Sequence, residues 1–238
     1  MSCDSPNSID VQGHRGCRGL LPENSLPAFQ RAIELGVHTL ELDLVISRDK
    51  KVVVSHEPFM NSVICFDPNG QEILPENEWD FNLYQMDYEE ILSFDCGSKI
   101  HPDYPDQINK KVFKPLLSDV FELADSMSES IKFNIELKSD ESYDNSYAPA
   151  PNEFARLVLD VIDQYDMSER TNLQSFDIRT LESINRLSPS MKLALLVDED
   201  EEILTKLNLL SFTPEIISPE FNLLNASIVK DLQSKNFK

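Results

Sequence analysis

The segment TLELDLVIS (39–47) leaves this chain little freedom in how it folds. In a strand, alternate side chains point to opposite faces. Leu40, Leu42 and Leu44 therefore share one side and Glu41 and Asp43 the other. The leucines call for cover from packed helices. The two carboxylates then point into the protein, where like charges are costly without a compensating cation. KFNIELK (132–138) repeats the pattern, with Phe133, Ile135 and Leu137 in one phase and Lys132, Asn134, Glu136 and Lys138 in the other. Three inward carboxylates, Glu41, Asp43 and Glu136, make a hard, oxygen-rich site suited to one divalent cation, Mg²⁺ or Ca²⁺, rather than zinc. The alternative is a solvated sheet face, which for the first segment would require an edge strand.

Further strands are expected at 9–14, 51–56, 171–176, 191–197 and 215–221, with 131–138 among them. Helices are expected at about 117–127, 152–166, 178–187, 199–210 and 225–236. An earlier helix follows Asn24 or Ser25 as cap, with Pro27 in its first turn and Gly36 as its stop. Strands separated by helical spacers indicate βαβ units and a parallel sheet of the α/β TIM-type (β/α)8 barrel class. Seven strands are counted, and an eighth is expected to begin at Phe237-Lys238. A closed barrel leaves no unpaired sheet edge. The expectation is therefore a longer chain, with segments 9–14 and 215–221 bordering the slot that the eighth strand fills. Residues 1–238 are read as a single barrel domain with an insertion after the third strand, at 57–114, on the catalytic face. That insertion is rich in Pro, Asn, Asp and aromatics, including Trp79, Phe81, Tyr84, Tyr88 and Tyr104, with one short helix near 87–94.

The formal charge of −21 disfavours nucleic acid and anionic membranes as partners. A small anionic substrate then needs a local basic pocket. No apolar run approaches the length of a membrane span, and the start MSCDSPNSID lacks a signal-peptide hydrophobic segment. Cys3 before a polar tether is also what remains when a lipoprotein signal is trimmed, so the compartment stays open, cytoplasmic or periplasmic and lipid-anchored. None of Cys3, Cys17, Cys65 and Cys96 forms a CxxC pair, and free thiols are expected. Oligomeric state is not encoded in any of these features.

His14 and His56 each end an expected strand, where catalytic groups of barrels cluster. In KVVVSH, Val52, Val54 and His56 are in phase, so the histidine is read as continuing an inward row. Imidazoles can serve as general base and general acid. His38 and His101 read as packing or surface residues, and Cys17 as a bystander. In VQGHRGCRGLLPENS (11–25), Gly13 and Gly16 permit close backbone approach. Arg15 can hold a phosphate bidentately, and Lys138 can add a point charge.

Together, HRG with PENS and AF, then ELDLVISRDKKVVVSHEP and IELK, resemble the glycerophosphodiester phosphodiesterase family. The match resumes at KPLLSDVFELAD and continues more weakly through LQSFD and ISPEF. The resemblance implies a TIM-type barrel with a small insertion after His56. It implies His14 and His56 as the acid/base pair, Glu41, Asp43 and Glu136 as metal ligands, and Arg15 and Lys138 facing the phosphate. The expected activity is metal-dependent hydrolysis of a small-molecule glycerophosphodiester to sn-glycerol 3-phosphate and an alcohol. One alternative keeps the apparatus and changes the substrate, a lysophospholipase D-like phosphodiesterase; an alternative of another class is a catalytically silent binder of phosphorylated polyols. Ser25 stands where the family more often has threonine.

Overall fold

The computed structural model describes residues 9–238. Its strands are β1 (Gln12–Gly13), β2 (Thr39–Ile46), β3 (Val52–Val54), β4 (Lys132–Leu137), β5 (Thr171–Ser175), β6 (Lys192–Val197) and β7 (Ile216–Pro219). They form one curled sheet in the order β1-β2-β4-β5-β6-β7, and every pair along that path is parallel. β3 departs from the expected alternation. Among the strands it pairs only with β2, and it runs antiparallel to it. Only a short turn, with Lys50 at φ 63°, separates the two strands, and a parallel crossover needs a dozen or more residues.

Most helices fall where the periodicity places them: α1 (Leu26–Glu34), α3 (Leu117–Met127), α4 (Pro151–Gln164), α5 (Ile178–Leu187) and α7 (Ala226–Ser234), with α2 (Tyr88–Ile91) a single turn in the insertion. Ser25 caps α1 by accepting the Ala28 amide, and Pro27 lies in its first turn. α6 covers only Ile203–Leu207, less than the expected 199–210. Residues 198–202 are all acidic, and like charges a turn apart oppose helix. The helix starts instead where Glu202 accepts the Leu204 and Thr205 amides.

The leucine row of β2 and the matching Phe133, Ile135 and Leu137 of β4 are fully buried, packed with Phe29 and Ala32 of α1 and Val120, Phe121 and Ala124 of α3. This helix-facing core takes up one phase of each strand and directs the other phase inside the curl. At the far edge, the Lys238 amide donates to the Glu215 carbonyl (3.0 Å) and the Ile217 amide donates to the Lys238 carbonyl (3.2 Å). These two bonds make a parallel rung beside β7, where an eighth strand was expected to begin.

Residues 57–114 carry a core of their own, in which Phe59, Met60, Leu83, Ile91 and Phe94 pack on Val45 and Val53 of the β2–β3 hairpin. Two of the cysteines expected to be free thiols are paired: Cys65 and Cys96 form a disulfide inside that core. Sequence spacing gave no sign of the pair. An antiparallel bridge between the neighbouring Phe66 and Asp95 brings them together. Cys17 is free and half-buried, whereas Cys3 lies outside the described residues. Replacing both Cys65 and Cys96 by serine should lower the unfolding free energy in denaturant titration by about 2–4 kcal/mol, the usual contribution of such a cross-link. An unchanged midpoint would show that the bond constrains nothing.

Candidate active site

Glu41 and Asp43 project from one face of β2, and Glu136 projects from β4 in direct register with Asp43. One oxygen from each lies within 4.8 Å of the others. All three side chains are buried. Burial, then the adjacent Asp43 charge, push Glu41 up to about 8. Burial likewise raises Glu136, against the opposing pull of Lys138.

The loop after β1 supplies one flank. Gly13 and Gly16 close a tight turn (Gly16 N to Gly13 O, 3.0 Å). A Cβ on Gly13 would lie 2.4 Å from the Gly16 carbonyl oxygen, and one on Gly16 would meet the Ala28 backbone at 2.8 Å. Arg15 adopts φ 51°, a strained conformation for a non-glycine residue. It is held there because its amide donates to Glu41 Oε2 (2.9 Å) and its carbonyl accepts the Asn24 amide (3.0 Å). The Arg15 guanidinium binds Glu23 Oε1 through Nη1 (2.9 Å), and its Nε lies 3.4 Å from Asp43 Oδ2. Among the described residues no hydrogen bond uses its Nη2. His14 is half-exposed, with Nε2 3.8 Å from Glu41 Oε2. Crowding around its ring, followed by the charges of Arg18 and Arg15, pulls its pKa down to about 4, so the imidazole is neutral at pH 7.

The other flank comes from β3 and β4. Val52 and Val54 pack into the helix-side core and do not line the inward row read from KVVVSH. His56 reaches the site because the antiparallel return sets the Ser55 amide on the Asp43 carbonyl (2.9 Å). His56 Nδ1 meets Glu57 Oε1 at 2.7 Å, and its Nε2 lies 3.2 Å from Lys138 Nζ. Lys138 also binds Glu136 Oε1 (2.8 Å). Burial opposes ionisation of Glu57, but the His56 hydrogen bond and charge and the nearby Lys114 hold its pKa at about 2. Lys114 is itself wholly buried, donates to Ser55 Oγ (2.8 Å), and has its pKa lowered by burial.

All seven residues singled out in the sequence therefore fall in one constellation. Glu23, Glu57, Lys114 and Gln174 join them without having been singled out, as does Asn24, which had been read only as a possible helix cap. The phase of TNLQSF could have indicated Gln174, whose Nε2 lies 3.4 Å from Glu41 Oε1. Lys114 heads KPLLSDVFELAD, where the resemblance resumes, but periodicity could not place it, because its position depends on where the insertion rejoins the barrel.

The donor set fits a divalent cation. Counted with every group ionised, Glu23, Glu41, Asp43, Glu57 and Glu136 face Arg15, Lys114 and Lys138, a formal excess of two negative charges that the raised pKa of Glu41 relieves when no cation is bound. Asn24 holds Asp43 through Nδ2 (2.9 Å) while its Oδ1 is buried without a hydrogen-bond partner, one more hard oxygen beside the carboxylates.

The Glycerophosphoryl diester phosphodiesterase family profile matches residues 14–238. A glycerophosphodiester phosphodiesterase of Caldanaerobacter subterraneus is 30% identical over 186 residues, 78% of this chain. The chain spans 65% of that relative's length. A crystal structure from Silicibacter pomeroyi, assigned to the glycerophosphoryl diester phosphodiesterases, superimposes with a TM-score of 0.87 at 26% identity, covering 98% of this chain and 82% of that one. An Oleispira antarctica phosphodiesterase solved with sn-glycerol-3-phosphate shares the fold at a TM-score of 0.73 and 20% identity, covering 97% and 82%. The barrel and its carboxylate-centred site define a phosphodiesterase-type TIM barrel, and the chain belongs to the glycerophosphoryl diester phosphodiesterase family.

Glu41 should make the cation-free protein pH-sensitive. Its folded-state pKa of about 8 stands above the ordinary value of 4.5, so the folded state binds the proton more tightly. The resulting stability is present below the ordinary value and is lost as pH rises through about 8. Melting temperature should fall across that window without added cation, and millimolar Mg²⁺ or Ca²⁺ should restore it. Glu41→Gln should flatten the pH dependence and weaken the cation response. A melting curve indifferent to both ions would count against the site.

Proposed function

We propose that this chain hydrolyses glycerophosphodiesters to sn-glycerol 3-phosphate and an alcohol, with a divalent cation, Mg²⁺ or Ca²⁺, held by Glu41, Asp43 and Glu136. The observation that carries this reading is the disposition of the two histidines around the triad: His14 beside Glu41, and His56 joined through Lys138 to Glu136. When bound, the cation supplies charge neutralisation at the phosphoryl group and a lowered pKa for the attacking hydroxyl.

The chain's own groups perform the rest. Lys138 and the uncommitted edge of Arg15 hold the phosphate oxygens, and Lys138 lies within reach of both His56 and Glu136. One imidazole takes the proton of the attacking hydroxyl as its oxygen bonds to phosphorus. The other returns a proton to the departing alkoxide as the phosphorus–oxygen bond breaks. His14 is neutral at pH 7 and suits the accepting role. The Glu57 carboxylate at Nδ1 fixes the orientation of the His56 ring and leaves Nε2 facing the site, which suits His56 to the donating role. Residues 57–114 form one wall of this face, and the substrate is a small molecule. Among the described residues no helix is long and apolar enough to cross a membrane.

Release of sn-glycerol 3-phosphate from glycerophosphoethanolamine, with and without chelator, tests the reading. Stoichiometric binding without turnover would favour a silent polyol-phosphate binder. Turnover confined to lysophospholipids would favour the lysophospholipase D-like alternative. His14→Ala and His56→Ala should each lower kcat by about 10²- to 10⁴-fold, the usual contribution of a general acid or base, with the circular dichroism spectrum unchanged. Near-wild-type turnover in either variant would remove that histidine from the mechanism.

A further inference from the structure

A cavity of about 300 Å³ opens beside His56, Glu136 and Lys138. Its outer wall is aromatic, built from Phe59, Trp79, Tyr143 and Phe176. Trp79 stacks obliquely on Phe59 at a centroid distance of 4.2 Å, stands 6.1 Å from Tyr143, and meets Tyr147 edge-on at 5.1 Å. Trp79 is 40% exposed. None of these rings takes part in the proton transfers proposed above.

The wall is also electronegative. Asp140 lines the same cavity and is exposed. Its Oδ1 accepts the Ser142 amide (2.8 Å), and among the described residues no Lys or Arg pairs with it. The charge is felt locally: after burial, Asp140 is the next cause of the raised pKa of Tyr143. The cavity is thus polarised, with Lys138 and His56 at the phosphate end and Asp140 among aromatic faces at the other. A zwitterion with phosphate at one end and a cation at the other matches that polarity. The small volume suits a headgroup better than an acyl chain. A methylated ammonium is weakly hydrated and draws on ring faces as well as charge, whereas a bare ammonium gains mainly from the carboxylate.

We infer that the Phe59–Trp79–Tyr143 wall with Asp140 is a subsite for a quaternary ammonium on the leaving alcohol, so that choline-type glycerophosphodiesters are preferred. This rests on the phosphodiesterase reading for its catalytic consequence but not for binding.

Trp79 is the chain's one tryptophan, so its fluorescence reports on the subsite directly. Tetramethylammonium and choline should produce a saturable spectral change. Dimethylbutanol, the neutral isostere of choline, should bind several-fold more weakly. Asp140→Asn, which keeps the Ser142 cap acceptor, should weaken choline but not dimethylbutanol. In steady-state kinetics, Trp79→Leu should lower kcat/KM for glycerophosphocholine roughly 5- to 30-fold more than for glycerophosphoglycerol, the range expected for a cation–π contact. Equal responses to choline and its isostere would reduce the wall to a plain apolar surface and overturn the inference, as would no response to either. Failure to hydrolyse any glycerophosphodiester would sink the proposed activity, and the fluorescence titration would still decide the subsite.

Discussion

Three buried carboxylates on two adjacent strands are the constraint around which this protein is organised. Glu41, Asp43 and Glu136 repel one another, and the helix-side hydrophobic core forbids their turning outward. Their surroundings therefore act as counterweights. The strained Arg15 backbone offers its amide to Glu41, Asn24 and the Arg15 guanidinium hold Asp43, and Lys138 holds Glu136. Even so, the fully ionised set carries a formal excess of two negative charges, which is what a divalent cation would balance.

The inside of the curled sheet is polar at more than one level. Beneath the carboxylates, Asn134 donates to Gln12 (2.9 Å) and accepts from Asn172, tying β1, β4 and β5 through neutral amides. The row ends at the exposed Gln12, whose Nε2 donates to Asp10 (3.1 Å). The insertion docks separately, on Val45 and Val53, with its own disulfide-linked core. Phe59 and Trp79 of the aromatic wall come from this insertion, whereas Tyr143 and Phe176 come from the loops that follow β4 and β5.

The alternation in TLELDLVIS and KFNIELK determined by itself which side chains face inward, and with them the carboxylate cluster, while the barrel class was legible in the succession of strands and helical spacers. That inference is secure because a strand's period of two is a property of the local backbone, and helix-side leucines leave the other phase only one direction. The polar phase of the interior was legible for the same reason. The antiparallel course of β3 was foreseeable in principle from its short turn, yet KVVVSH alone reads like any barrel strand.

What only the tertiary structure decided are the partnerships between distant segments. Cys65 meets Cys96 because two irregular stretches of the insertion bridge at Phe66 and Asp95, and no periodicity specifies such an encounter. Lys114 arrives under Ser55, and Trp79 against Phe59 and Tyr143, because the loops that carry them fold over one end of the sheet. His56 enters the site through the reversal of β3 and not through its phase. Side-chain direction is set locally and survives in the sequence. The choice of neighbour is set by packing across the whole chain, so residues drawn from irregular loops become visible as parts of the site only once the fold has assembled them.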